Sequence, residues 1–103
     1  MDFQNKIGQE QALRQLEAAG TTFITLFEAG KLSVEVYRPH FVDKQQPHDR
    51  DEFYLVIAGT GKFRLLEKET DFKPGDFLYV PAHAPHQFIE FTDDFVTWVF
   101  FIG

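Results

Sequence analysis

The amino-acid sequence predicts an all-β fold preceded by one short N-terminal helix, and three observations carry that expectation. Beyond Gly20 the chain is a succession of runs rich in Phe, Tyr, Val, Ile and Thr, the residues that suit a pleated, half-buried surface. Turn signals separate the runs, the strongest being Gly59-Thr60-Gly61 and Pro74-Gly75-Asp76. No helical pattern is inserted between them, as a parallel α/β sheet would require, so the strands are expected to pair antiparallel in a sandwich or barrel.

Ala12, Leu13, Leu16 and Ala19 fall at helical spacing within residues 8–19, and Gly20 is placed to end that helix. Strands are expected over residues 22–28, 32–38, 52–58, 62–67, 76–80, 86–91 and 95–102, with Ala29-Gly30-Lys31 and Thr92-Asp93-Asp94 as further connections. The chain has no internal repeat, low-complexity tract or dividing linker. Its 103 residues make one domain, large enough to bury roughly 60 to 70% of its unfolded surface.

Composition narrows function by exclusion. Ten Lys and Arg against sixteen Asp and Glu give a net charge of -6, which repels phosphate backbones and anionic lipids, so no nucleic acid or membrane partner is expected. No apolar run approaches the ~18 residues of a membrane span. Met1-Asp2-Phe3-Gln4-Asn5-Lys6 lacks a signal peptide's hydrophobic region, which makes a cytoplasmic protein the expectation. Zero cysteines exclude disulfides, thiolate zinc sites and cysteine nucleophiles. Thirteen Phe, three Tyr and one Trp against a single Met predict a core or pocket lined with rings.

The chemistry is concentrated in two polar clusters, Gln46-Pro47-His48-Asp49-Arg50-Asp51-Glu52 and Pro81-Ala82-His83-Ala84-Pro85-His86. If the strand-like sequence between them folds back on itself, the imidazoles of His48 and His86 and the carboxylate of Glu52 converge on one metal ion. Along an unbroken strand Gln46, His48, Arg50, Glu52 and Tyr54 would share a face. A guanidinium beside a cation is unfavourable, so a bulge or turn between His48 and Glu52 is expected to turn Arg50 outward and return Glu52 inward. Read alone, the first cluster also fits a polar loop leading into a buried strand.

In these spacings the sequence resembles the cupin superfamily. The resemblance rests on His48, Glu52 and, after six intervening residues, Gly59 in a first motif, and on Gly75, Pro81 and His86 in a second. It covers residues 33–101 and implies a double-stranded β-helix, or jelly roll, with the metal inside the barrel. The chain then divides into an N-terminal helical arm over residues 1–21 and a cupin β-barrel domain over residues 22–103. Gln46 stands where the family has its first His, His83 where it has a Gly, and Glu90 where an Asn is frequent. The ligand set implied by the resemblance is Gln46, His48, Glu52 and His86, with Gln46 either a direct ligand through its carbonyl oxygen or a hydrogen-bonding neighbour of one. Without Gln46 the donor set has the composition of the facial triad of non-haem iron(II) oxygenases, and Fe, Mn, Ni and Zn all suit it.

One Glu52 charge leaves a divalent ion net positive, so an anionic small-molecule ligand is expected at its open positions. His48 and His86 must be neutral to bind, so metal affinity should fall below about pH 6 to 6.5. His83 is either a turn residue at positive φ or a general base, and Glu90 either accepts a substrate proton or pairs with a neighbouring cation. Tyr54 is a third candidate acid-base group. Two function classes follow: a small metalloenzyme, dioxygenase-like or isomerase-like, or a protein that binds or senses a metal or small ligand without turnover. The ring-rich strand over residues 95–102 is hard to bury in so short a chain, so a homodimer is expected.

Overall fold

A computed structural model describes residues 5–103, so residues 1–4 of the expected helical arm lie outside the described residues. Helix α1 (Gln9–Ala19) is followed by eight strands: β1 (Phe23–Ala29), β2 (Leu32–Tyr37), β3 (Asp51–Ala58), β4 (Gly61–Leu65), β5 (Lys68–Phe72), β6 (Phe77–Val80), β7 (His86–Ile89) and β8 (Val96–Ile102). Gly20 ends the helix in the left-handed conformation, its N–H bonding back to the carbonyls of Leu16 and Glu17. All strand pairs are antiparallel. They form a five-stranded sheet in the order β1-β2-β8-β3-β6 and a three-stranded sheet in the order β5-β4-β7. Continuous strand pairing does not close the two sheets into one barrel among the described residues.

Strand β5 was not expected from the sequence. Lys68, Glu69, Thr70 and Asp71 are exposed and only Phe72 is buried, so no alternation of apolar residues marks it. Its pairing with β4 carries it instead, with Arg64 directly opposite Glu69 and bonded to it at 3.0 Å.

Side-chain alternation divides the apolar residues between two cores. Tyr54, Val56, Val99 and Phe101 of the larger sheet meet Phe63, Phe72 and Phe88 of the smaller one, with Phe95 beside them. Rings pack edge-on or tilted throughout, Phe88 lying 4.6 Å from Phe95 and 4.8 Å from Tyr54 between centroids. The second core lies where Ala12 and Leu16 of α1 cover Val36 of β2 and Val96 of β8. On β2, therefore, Val34 and Val36 face away from the inter-sheet space while Glu35 and Tyr37 face into it.

Part of the last strand is buried within the chain. Phe95 and Phe101 are buried in the main core, and Phe53 stacks on Phe100 at 4.8 Å on the opposite face. Exposed apolar surface remains at Ile102 of β8 and at Leu55, Phe77 and Tyr79 of β3 and β6, among other positions.

Candidate metal centre

The two polar clusters meet at the end of the inter-sheet space. Glu52 is the second residue of β3, opposite Val80 of β6 and Phe101 of β8, and its side chain is 1% exposed. His86 opens β7 in the other sheet, opposite Leu65. His48 lies in the segment before β3, which bends at Asp49 and Arg50 and so escapes strand alternation. Two hydrogen bonds tie the clusters together: the His83 N–H donates to the His48 carbonyl at 2.6 Å, and the Ala82 N–H donates to Asp51 Oδ1 at 2.9 Å.

One donor atom from each of His48, Glu52 and His86 lies within 4.8 Å of the others. Glu52 Oε1 is 3.0 Å from His86 Nε2 and 4.0 Å from His48 Nε2. The His86 Nδ1–H donates to the Ala84 carbonyl at 2.9 Å, which leaves Nε2 as the lone-pair nitrogen of the neutral ring. The 3.0 Å approach lacks hydrogen-bond alignment, and both Glu52 oxygens and His86 Nε2 are buried without a hydrogen-bond partner. Buried acceptors that converge without a donor are costly unless a cation satisfies them. The residues present thus fit a divalent metal, with the ring of His86 already fixed through its far nitrogen.

Burial is the largest influence on His86 and lowers its pKa, but the Glu52 carboxylate, the Ala84 carbonyl and the charge of Asp43 together outweigh it and leave the imidazole above its ordinary 6.5. Without metal, the His86 proton therefore stabilises the fold fully below that ordinary value, and this stabilisation is lost as pH rises through the raised pKa. Metal binding runs the other way, because the proton must leave. Zn²⁺ affinity is expected to begin falling above pH 6.5 rather than below it, by about ten-fold or more per pH unit, as chelator competition will report. Constant affinity from pH 8 to pH 5 would exclude these imidazoles.

The structure does not bring the other sequence candidates to the cluster. Gln46 is exposed and lines no part of the pocket, whereas Gln45 does, because the irregular segment before β3 does not alternate as a strand would. His83 is exposed at φ 71° and serves as the turn that returns its N–H to His48. Glu90 lies beyond the end of β7 at φ 50°, which turns it off the His86 face and toward Lys62 Nζ at 3.9 Å on the surface. Tyr54 is fully buried, and its hydroxyl donates to Gln45 Oε1 at 3.0 Å. Burial first, then the nearby Glu52 charge, push its pKa well above 10, so it acts as a donor and not as a base at neutral pH.

Three features are not visible in the sequence. Asp43 is buried and accepts from the Tyr37 hydroxyl at 2.6 Å, the Gln45 amide and the Phe88 N–H at 2.8 Å, pinning the long β2–β3 connection against β7. Glu35 faces the same pocket from β2, and burial, as the largest effect, raises its carboxyl above the ordinary carboxylate value. Arg50 is not turned outward: it lies over the Phe101 ring at 4.7 Å and lines the pocket with His48 and Glu52. That pocket has a volume of about 350 Å³, with Tyr37, Lys44 and Val99 among its walls.

The cupin domain model matches residues 33–102, most of the chain, and this protein belongs to that family. An uncharacterized protein of Streptomyces coelicolor is 34% identical over 59 residues, 57% of this chain and 56% of that protein's own length. A cupin superfamily protein from Desulfitobacterium hafniense superposes with a TM-score of 0.64 at 18% identity, over 78% of this chain and 74% of the other. A structure from the DMSP lyases RdDddP and RnDddQII superposes with a TM-score of 0.62 at 28% identity, over 73% of this chain and 40% of that one. No helix among the described residues is long and apolar enough to cross a membrane.

Proposed function

We propose that this chain is a metal-dependent cupin of jelly-roll architecture that acts on a small anionic organic molecule, as a dioxygenase-like or isomerase-like enzyme. The observation that carries this reading is the His48-Glu52-His86 cluster, with buried acceptor atoms of Glu52 and His86 left unsatisfied and half-buried His48 opening it to a pocket that Glu52 also lines. These three side chains would hold the ion. Fe, Mn, Ni or Zn bound there would supply Lewis-acid polarisation of a ligand oxygen, and iron in addition dioxygen chemistry.

The protein groups around the cluster have separable tasks. Tyr54 and Asp43 hold Gln45, which lines the pocket, and the phenol stays protonated there. Glu35 is the carboxyl group in the pocket available to accept or return a proton, a role that the surface positions of Glu90 and His83 do not support. A structural neighbour among the DMSP lyases supports small-molecule chemistry on this scaffold. The alternative is a binding or sensing protein without turnover. Protein reconstituted with each of the four metals should be incubated with small oxo and hydroxy acids in D₂O. Deuterium at carbon supports the isomerase-like reading and oxygen uptake the dioxygenase-like one; binding without either favours the alternative.

We also propose a homodimer, supported by the exposed Leu55, Phe77 and Tyr79 on the outer sheet. Light scattering at twice the chain mass is the expected result, and a clean monomer overturns it.

A further inference from the structure

The pocket's second notable group is Arg50, whose sequence position promised only an outward-turned charge. Its guanidinium rests on the Phe101 ring at 4.7 Å, and Nη1 donates to Ser33 Oγ at 3.1 Å. Both contacts are with uncharged groups. Among the described residues no carboxylate lies within ion-pair distance of it. A guanidinium has five N–H donors in a rigid fork, so most of these donors stay available while stacking and the serine hold the plane in place. Glu35, which shares the pocket, accepts the Thr25 hydroxyl at 3.3 Å and feels the Arg50 charge only beyond ion-pair distance.

Phe101 also fixes how far Arg50 stands from the candidate metal ligands. The His48 ring meets the same phenyl ring edge-on at 4.7 Å, so imidazole centroid and guanidinium carbon can be separated by no more than twice that distance. Glu52 is the direct strand partner of Phe101 on one side and Ser33 its partner on the other. Cluster and guanidinium therefore flank one apolar ring.

Resting on the metal-site reading above, we propose that Arg50 binds the carboxylate of the ligand. The ligand class is then a short organic acid carrying an oxygen-donor group at one end, for the metal site, and a free carboxylate at the other. Bidentate pairing of guanidinium with carboxylate gives both affinity and length selection.

The test uses Zn²⁺-loaded protein and two probes that share a hydroxamate, acetohydroxamate and succinic monohydroxamate, with binding measured by calorimetry. Wild type is expected to bind the carboxylate-bearing probe at least about ten-fold more tightly. In Arg50→Gln that preference should collapse to under about two-fold, with Arg50→Lys intermediate because the charge remains and the fork is lost. Equal affinities in wild type overturn the proposal without any variant, as does a preference that survives in Arg50→Gln. Should acetohydroxamate still bind in those cases, the metal-site reading stands; failure to retain zinc and to bind either probe refutes that reading itself.

Discussion

At a pH above the raised pKa of His86, where its ring is neutral, Glu52→Gln is expected to abolish metal retention while leaving the metal-free fold as stable as wild type or more so. In the wild type a carboxylate that is 1% exposed has no hydrogen-bond partner for either oxygen, with His86 Nε2 at 3.0 Å as its near neighbour. The effective cost of such a buried ion is several kcal/mol, so neutralising it without changing its shape removes a penalty. The Gln amide can moreover donate to His86 Nε2, since that ring already donates through Nδ1 to the Ala84 carbonyl. His86→Ala should lose the metal equally but destabilise the metal-free protein, because it deletes a buried ring and its hydrogen bond to the Ala84 carbonyl without relieving the Glu52 charge. Equal loss of metal with opposite changes in stability distinguishes a ligand cluster from an ordinary structural pair. Zinc at a thousand-fold excess over Kd should stabilise wild type by about 4 kcal/mol and neither variant. Elemental analysis of untagged protein and thermal melts with and without zinc measure both; equal metal content in all three proteins ends the site hypothesis.

That experiment addresses the part of the site most legible in the sequence. His48, Glu52 and His86 were readable because their spacing resembles two family motifs and depends little on side-chain detail. Gln46 and Arg50 were misplaced within one short irregular segment. Gln46 came from matching the family's first motif position and Arg50 from the repulsion expected between a guanidinium and a metal ion, yet β3 begins only at Asp51, and the bend before it lets Gln45 face the pocket and lays Arg50 against Phe101. Of the two readings of Glu90 the structure shows the pairing with a cation, Lys62, because β7 stops at Ile89 and the chain turns there. Glu35 and Asp43 depend on register between strands distant in sequence, and neither residue carries a local signal of its pocket or its hydrogen bonds. In the fold, seven strands and the helix were visible through their apolar pattern, whereas β5 is held by pairing and a cross-strand ion pair and buries only Phe72. Apolar content marks strands that fill a core, and it is silent about strands that complete a sheet edge.

The motif glycines extend the same reasoning from function to stability, and they predict unequal effects from one substitution. Gly59 and Gly75 both lie in the left-handed region, at φ 90° and 89°, so alanine is strained at either position. Their surroundings differ. A Cβ at Gly75 would meet nothing within 4 Å, whereas one at Gly59 would lie 2.4 Å from Phe95 Cα and 2.7 Å from its nitrogen. Those are backbone atoms at the entry to β8, and the Phe95 ring packs on Phe72, Phe88 and Phe91. Relief at Gly59 therefore requires moving a strand entry and the core ring attached to it. Gly75→Ala should cost about 1 to 2 kcal/mol from backbone strain alone. Gly59→Ala should cost on the order of 4 kcal/mol or more, which for a domain of this size lowers Tm by at least about 16 °C or prevents folding. The contrast isolates close approach from conformational preference, since φ is matched. If thermal melts of the two variants fell within a few degrees of each other, the glycine of the first motif would be required for its φ alone, and the packing of Phe95 against it would carry no weight in the fold.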